Sequence, residues 1–386
     1  IMFTSGSTGI PKAVVVPHEA VIRLAFGLED FVSLGPDTRM LHLSNLGFDA
    51  ATFEIFGALL HGGKIVLVGE DPPSLSELSR NVCENGEITT FLTSALFDEV
   101  VDRSPEILAA CREVLVGGEQ VSVDHMKRAM KLAPGTRFIN VYGPTETTTF
   151  ATAHTVTEAP FEMCASVPIG KPIGNTSTFV LDENMRHVPM GIPGELYIGG
   201  SGLALGYSND DELTRQRFVS VNLGVGNRIR LYQTGDWVRW LPDGSLQFLG
   251  RKDKQIKLRG FRIELGEIEE ALRGHERVRD CAVRAWGNGS EKRIVAYVEE
   301  QPDNRESDGN QTEHVSHWKT IFDEEVYGDL KGGENPGFNI SGWRSAIDRT
   351  TFSTAEMREW LNDTISAVKD HNPSRILEIG CGTGMI

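Results

Sequence analysis

Short β-branched runs alternate with amphipathic stretches from residue 1 to about residue 247. The runs predict strands at Ala13–Val16, Lys64–Val68, Val114–Val116 and Phe138–Val141, and the stretches predict helices at Ser74–Cys83 and Val123–Leu132. Strands that alternate with helices indicate an α/β sheet domain.

Strand-like runs become short and closely spaced from residue 228 onward. They predict strands at Arg228–Gln233, Trp237–Trp240, Leu246–Leu249 and Gln255–Leu258, with a turn at Pro242-Asp243-Gly244. An acidic amphipathic helix at Leu265–Arg273 and two more strands, Asp280–Trp286 and Lys292–Glu299, come next. This order predicts a small α+β region after the α/β domain.

Residues 301–314 lack apolar content and are typical of a solvated linker. A helix at Thr354–Lys369 and a strand at Arg375–Ile379 predict a new unit beyond it, over residues 315–386. The chain begins at Ile1 without an initiator Met and stops just after a glycine-rich turn. We therefore expect a fragment of a longer polypeptide.

Composition narrows the function classes. Among 386 residues, 38 Lys and Arg stand against 54 Asp and Glu, a formal net charge of −16 that repels nucleic-acid phosphates and anionic membranes. No run approaches the roughly 20 apolar residues that cross a bilayer. The 5 cysteines are widely spaced and form no CxxC pair, which favours the reducing cytoplasm over a disulfide or zinc framework. Small-molecule chemistry is the leading class.

A loop rich in hydroxyls and glycines opens the chain. Its residues are Thr4, Ser5, Gly6, Ser7, Thr8, Gly9, Ile10, Pro11 and Lys12. Glycines let backbone N–H groups approach phosphate oxygens, hydroxyls add donors and the lysine adds charge, so this is a candidate phosphate loop. Taken alone, a flexible polar loop explains the same residues equally well.

Further stretches follow this loop in order: Asn140–Thr147, Gly194–Tyr207, Tyr232–Asp236, Gly250–Lys257 and Arg259–Glu264. Together they resemble the core motifs of the adenylate-forming superfamily of acyl-CoA ligases, luciferases and adenylation domains. The resemblance runs from Ile1 to about Glu299. It implies a luciferase-like α/β large subdomain over 1–252, truncated at its N-terminus, and the first part of a small α+β subdomain over 253–300.

The resemblance also implies an ATP and Mg²⁺ site. Tyr142 would stack on adenine, Asp236 would accept the ribose hydroxyl protons, Arg251 would reach the ribose and phosphates, and Glu146 would bind Mg²⁺. Asp253 matches the hinge of the small subdomain. The implied ATP-binding set is Thr4, Ser5, Gly6, Ser7, Thr8, Gly9, Lys12, Asn140, Tyr142, Gly143, Thr145, Asp236 and Arg251, with Thr4, Ser5, Lys12, Glu146 and Arg251 as its catalytic members.

One stretch distinguishes branches of the superfamily. Leu46–Phe56 resembles the FDASxWE motif of nonribosomal peptide synthetase adenylation domains, in which the aspartate pairs with the substrate α-ammonium. Asp49 holds that position, and the alternative is a helix N-cap before Ala50. The other side-chain pocket positions fall on Ala50, Phe53, Phe91, Leu115, Gly117, Val141, Thr149 and Phe150. This apolar lining disfavours a charged or amide substrate, and its phenylalanines favour Ile or Val over Phe or Tyr.

A second motif lies beyond the linker. Ile376–Gly384 reads as a strand that ends in E-x-G-x-G-x-G, with Glu378, Gly380, Gly382 and Gly384. It resembles the turn with which Rossmann-like methyltransferases hold S-adenosylmethionine, and its position resembles modules that carry an N-methyltransferase inside the small subdomain. The family's catalytic lysine and most of the methyltransferase have no counterpart here, so we expect these residues alone to be inactive.

The resemblance implies an enzyme that activates an aliphatic amino acid with ATP, loads it on the phosphopantetheine thiol of a carrier domain and N-methylates it. Carrier and condensation domains of the same polypeptide are the expected partners, in the cytoplasm, without nucleic acid or membrane. Two alternatives stay open: an acid:CoA ligase of the same superfamily, and a non-catalytic scaffold that binds nucleotide.

Overall fold

The computed structural model describes residues 1–4, 12–69, 73–157, 166–222, 228–252, 255–258, 261–287, 293–301 and 352–370. The chain forms two compact units, Ile1–Glu300 and Gln301–Ile386. The phosphate-loop residues 5–11, the hinge position Asp253, the predicted strand Arg375–Ile379 and the S-adenosylmethionine motif lie outside the described residues.

Seven of the described strands form a mixed sheet at the centre of the first unit. In spatial order they are β4 (Lys64–Leu67), β3 (Arg39–His42), β5 (Ile88–Thr93), β6 (Cys111–Gly117), β7 (Arg137–Tyr142), β8 (Thr152–Thr155) and β9 (Lys171–Pro172). Pairing is parallel from β4 to β7 and antiparallel from β7 to β9. The carboxyl ends of β3, β5, β6 and β7 therefore meet at one edge.

Helices cover both faces of this sheet. They are α1 (His18–Phe26), α2 (Ala50–Leu59), α3 (Leu75–Asn85), α4 (Ser94–Arg103), α5 (Glu106–Ala109) and α6 (Val123–Leu132). Ser74 and Ser122 are the N-cap residues of α3 and α6, and their hydroxyl oxygens accept hydrogen bonds from the backbone N–H groups of Glu77 and His125. Val114 and Val116 belong to the core cluster beneath α3 to α6, while Leu115 belongs to the cluster beneath α1 and α2. This alternation explains why Val114–Val116 of β6 form an uninterrupted apolar run.

Antiparallel sheets complete the first unit. One has the order β1 (Met2–Thr4), β2 (Lys12–Val15) and β12 (Gly206–Tyr207), and another has β10 (Thr176–Leu181), β11 (Gly194–Gly200), β14 (Ile229–Trp240) and β13 (Phe218–Val221), with β15 (Leu246–Arg251) paired to β14. Helix α7 (Asp211–Arg217) precedes β13. The remaining hairpins are β16 (Gln255–Leu258) with β17 (Phe261–Glu264), and β18 (Val278–Trp286) with β19 (Arg293–Glu300); α8 (Leu265–Arg273) lies between them in the chain.

One strand prediction was wrong. The predicted strands Arg228–Gln233 and Trp237–Trp240 are a single strand, β14. Gly235 adopts a φ of +76°, which lets the backbone continue where the sequence pattern suggests a break. The pairing of β14 with β11 shifts register between Glu195 and Tyr197, opposite this glycine, so a bulge absorbs the irregularity.

In the second unit the structure describes Gln301 and residues 352–370. The latter stretch contains helix α9 (Thr354–Asp370), which confirms the predicted helix. Ser353 and Glu356 cap it reciprocally: Glu356 donates its N–H to Ser353 Oγ at 3.3 Å, and Ser353 donates its N–H to Glu356 Oε2 at 2.8 Å. None of the described helices is long and apolar enough to span a membrane.

Candidate active site

The predicted pocket positions converge at the carboxyl edge of the parallel strands. Gly117 of β6 is in register with Thr93 of β5 and Val141 of β7. Two residues earlier in the strands, Phe91 pairs with Leu115. Because side chains alternate along a strand, Phe91, Leu115, Gly117 and Val141 share one face of the sheet.

Helix α2 closes this face. Ala50 and Phe53 are buried against the same core cluster, and Phe150 joins them from the chain that follows β7. The ring of Phe150 lies 5.3 Å from that of Phe53 and 5.4 Å from that of Phe91, centroid to centroid. Because Phe150 contacts both other rings, the lining is compact and apolar.

Gly117 is required by this packing. A Cβ at this position would lie 2.4 Å from the carbonyl oxygen of Val141 and 3.4 Å from Cε2 of Phe91. A larger residue would therefore push on the neighbouring strand as well as on a pocket ring.

Asp49 lies at the N-terminus of α2, where the chain leaves the carboxyl edge of β3. The alternative interpretation as a capping residue fails, because its side chain makes no capping hydrogen bond to α2. Its Oδ2 instead accepts a 2.6 Å hydrogen bond from the hydroxyl of Thr145, and its backbone carbonyl accepts one of 2.8 Å from Thr149. Asp49 is thereby tied to the segment that carries Glu146.

The nucleotide positions meet around Asp236. Tyr142, the last residue of β7, donates its hydroxyl to Asp236 Oδ2. Arg251 of β15, the cross-strand partner of Asp236, donates from Nη1 to Oδ1 at 2.6 Å. Burial raises the pKa of Tyr142 well above its ordinary value, and the neighbouring Asp236 carboxylate raises it further. Each carboxylate oxygen of Asp236 thus accepts a hydrogen bond, one from Tyr142 on the seven-stranded sheet and one from Arg251 on β15.

Glu146 is buried in a 3₁₀ turn, Thr145–Thr147, directly after β7. Its Oε1 accepts a 2.7 Å hydrogen bond from the hydroxyl of Tyr207 on β12. Carboxylate oxygens are the ligands that a hard cation such as Mg²⁺ prefers. The chemistry of Glu146 therefore fits the implied metal.

The two ends of the predicted phosphate loop are adjacent. Thr4 and Lys12 are cross-strand partners in β1 and β2. The Nζ of Lys12 lies 4.0 Å from Oε1 of Glu264 at the end of β17. Within the described residues, the buried Oγ1 of Thr4 has no hydrogen-bond partner, a donor that suits a phosphate oxygen.

Two more of the implied ATP residues, Asn140 and Gly143, have roles in the packing of the fold. Asn140 donates from Nδ2 to the carbonyls of Val167 and Pro168, at 3.3 and 2.8 Å. Gly143 has no room for a side chain, since a Cβ would lie 2.3 Å from the carbonyl oxygen of Thr149. Their roles toward ATP stay predictions, as do those of Ser5, Gly6, Ser7, Thr8 and Gly9, which lie outside the described residues.

Sequence reasoning missed two buried charged residues beside the pocket. Glu54 of α2 accepts from His42 Nδ1 at 2.6 Å and from the N–H and hydroxyl of Ser44 at 3.0 and 2.8 Å, and burial raises its pKa. Arg23 of α1 contacts backbone carbonyls after Glu146. The only sequence signal for either residue was the position of Glu54 within the Leu46–Phe56 stretch.

Comparison with known proteins gives the same picture. The family model described as AMP-binding enzyme matches residues 1–208, more than half of the chain. A linear gramicidin synthase protein of Brevibacillus parabrevis is 48% identical over 300 residues, 77% of this chain and 4% of that protein. A nonribosomal peptide synthetase of Aspergillus flavus is 38% identical over an alignment of 394 positions, which covers 100% of this chain and 5% of that protein. The chain thus spans only a small part of these relatives.

Solved structures extend the comparison. A nonribosomal peptide synthetase protein with adenylation and carrier (PCP) domains, bound to a vinylsulfonamide inhibitor, matches with a TM-score of 0.75 and 39% identity over 78% of this chain and 52% of that one. The Vibrio cholerae adenylation domain AlmE, in complex with glycyl-adenosine-5′-phosphate, matches with a TM-score of 0.68 and 27% identity over 79% of this chain and 58% of that one. The expected adenylate-forming fold is confirmed, and the chain belongs to the AMP-binding enzyme family as an adenylation domain of the kind found in nonribosomal peptide synthetases.

Proposed function

We propose that the natural polypeptide containing this chain activates an aliphatic α-amino acid, with Ile or Val favoured, as an aminoacyl adenylate. The observation that carries the proposal is the position of Asp49: a carboxylate beside Thr145 and at the start of the helix that closes an apolar face. A substrate ammonium would bring a positive charge to that carboxylate, whereas an acid without an amine would bring none.

The substrate class follows from the packing around Phe150. Its contacts with Phe53 and Phe91 leave an apolar environment that suits a short branched side chain and penalises a charged one. One methylene changes binding by only about 1 to 3 kcal/mol, so the pocket separates Ile from Phe more sharply than Ile from Val.

In the proposed reaction a carboxylate oxygen of the amino acid attacks the α-phosphorus of ATP. The bond from that phosphorus to the bridging oxygen breaks, and pyrophosphate leaves with the electron pair. Thr4 to Lys12 hold the outgoing phosphates, Asp236 and Arg251 orient the ribose, and Asp49 fixes the amine. Glu146 would hold Mg²⁺, which when bound offsets the phosphate charge.

Amino-acid-dependent ATP–pyrophosphate exchange by the natural polypeptide tests this function. The panel pairs Ile with Val, Phe and the deamino analogue of Ile, which has the same carbon skeleton and is the matched control. Exchange that peaks with Ile or Val supports the proposal. Equal exchange with the deamino analogue supports the acid:CoA ligase, and bound ATP without exchange supports the non-catalytic scaffold.

Two later steps extend the proposal. Transfer of the aminoacyl group to a carrier phosphopantetheine thiol, with release of AMP, is supported by the carrier domain in the first of the similar structures described above. Methyl transfer from S-adenosylmethionine to the amine nitrogen, with loss of a proton, is supported by the spacing of Glu378, Gly380, Gly382 and Gly384. Mass spectrometry of the loaded carrier tests both: a mass gain of one methylene that requires S-adenosylmethionine supports methylation, and its absence contradicts it.

A further inference from the structure

Arg23 is a charged residue buried in the first unit, with 4% of its surface exposed. It extends from α1 to the segment after Glu146. Its Nη1 donates to the carbonyl of Phe150 at 2.5 Å, and its Nη2 donates to the carbonyl of Thr147 and, at 3.4 Å, to that of Thr148. One guanidinium therefore holds three carbonyls within four consecutive residues.

The segment that Arg23 holds is strained. Thr148 and Thr149 have φ angles of +58° and +65°, a left-handed conformation that β-branched residues avoid. Such a conformation persists only where surrounding contacts over-determine it. The carbonyls that accept from Arg23 lie on both sides of Thr149, so its guanidinium supplies those contacts.

Gly202 makes room for the guanidinium. A Cβ on Gly202 would lie 1.9 Å from Nη2 and 2.2 Å from Cζ of Arg23. The carbonyl of Gly202 also accepts a 2.9 Å hydrogen bond from the hydroxyl of Thr148. The absence of a side chain at Gly202 and the charge at Arg23 thus serve the same segment.

The held segment joins the two ends of the site. It begins directly after Glu146 and ends with Thr149 and Phe150, two of the pocket positions. The hydroxyl of Thr149 donates to the backbone of Asp49, and the ring of Phe150 packs on Phe53 and Phe91. A shift of this segment would move the pocket wall and the backbone of Asp49 together.

We propose that Arg23 is a positioning residue for amino-acid selection, because its guanidinium fixes the Thr147–Phe150 segment in the conformation that places Thr149 and Phe150 in the pocket. This inference rests on the proposed function. A lysine retains the charge but presents a single nitrogen, which cannot span three carbonyls.

The test compares R23K with R39K in the natural polypeptide. Arg39 is a matched control, because its Nη1 also donates to two backbone carbonyls, those of Asn85 and Gly86, but at a different segment. We measure the ratio of kcat/KM for the preferred amino acid to that for Phe. This ratio does not depend on the folded fraction, so loss of stability alone leaves it unchanged.

We expect R23K to lower this ratio about tenfold, the loss typical of a buried hydrogen bond to a charged group, and R39K to leave it within about twofold. G202A, whose new methyl displaces the guanidinium without changing it, should lower the ratio in the same direction. An unchanged ratio in R23K and G202A, or an equal change in R39K, would overturn the proposal.

Hydrogen exchange separates this inference from the proposed function. The amides of Thr147, Thr148 and Phe150 donate to nearby backbone carbonyls, those of Pro144, Thr145 and Thr148 respectively. We expect R23K to accelerate their exchange, with R39K as the control. If the wild-type protein shows no amino-acid-dependent exchange of pyrophosphate, the proposed function fails, and unchanged amide exchange in R23K would separately refute the positioning role.

Discussion

The amino-acid end and the nucleotide end of the candidate site are built differently. The first draws on register positions of one parallel sheet and on the helix packed over it. The second joins Tyr142 of that sheet to Asp236 and Arg251 of another. Substitutions at the amino-acid end should therefore change substrate selectivity. Substitutions at the nucleotide end should weaken both nucleotide binding and the contact between the two sheets.

The largest effect is expected at Asp236. D236N removes the negative charge between Tyr142 and Arg251, and leaves the Arg251 guanidinium without this carboxylate. Charge-assisted hydrogen bonds contribute about 1.5 to 3 kcal/mol, so we expect kcat/KM for ATP to fall about 100-fold and the melting temperature to fall as well. Exchange kinetics and calorimetry measure the two effects. Y142F, which removes one hydroxyl, is the control; an unchanged melting temperature in D236N would break the proposed contrast.

A smaller and more selective effect is expected at Asp49. D49A should lower kcat/KM for the amino acid about 30-fold while kcat/KM for the deamino analogue changes little, because in the proposed function this carboxylate pairs with the amine. The melting temperature should fall only slightly, since the substitution removes the hydrogen bond from Thr145 but no cap of α2. An equal loss with both substrates would show that Asp49 does not recognise the amine.

The pocket wall should respond next. F150L removes the ring that contacts Phe53 and Phe91. We expect the ratio of kcat/KM for Phe to that for Ile to rise about tenfold, because the substitution opens volume in an apolar lining. ATP kinetics should stay unchanged. Phe97, which packs against Phe138 on the opposite face of the sheet, provides the control F97L, whose substrate ratio should not move.

The smallest effect is expected at the turn before β15. The Ser245 hydroxyl, donating at 2.7 Å, lowers the pKa of Asp243 below its ordinary value of 3.8. The carboxylate therefore adds stability above that value, and this stability is lost as pH falls through the lowered pKa. D243N should lower the melting temperature at neutral pH by about 1 °C and converge with the wild type in strong acid. A difference that grows in acid would contradict the assignment.

Much of the fold was predictable from local pattern. Helices α6 and α8 have the predicted bounds, because apolar periodicity alone marks them. The single strand β14 was not predictable, because Gly235 has a left-handed φ within it and only a bulge in the pairing with β11 lets the strand continue.

The candidate site divides in the same way. Motif order led to Asp49, Glu146 and Asp236, and the structure brings their neighbourhoods together. Arg23 could not be found, because an arginine on an amphipathic helix reads as a solvent-exposed residue. The carbonyls that it contacts lie 124 to 127 residues further along the chain, and no local pattern records such a distance.

Consecutive left-handed threonines have a practical consequence for engineering. At Thr148 and Thr149 a replacement is judged first by its backbone, since residues other than Gly, Asn or Asp pay about 1 to 3 kcal/mol for this conformation. The native threonines already carry this cost, so Gly, Asn or Asp at position 149 should relieve it, while other residues depend on the same supporting contacts. Selectivity is better transplanted as a cassette of residues 147–150, in recipients that retain Arg23 and Gly202.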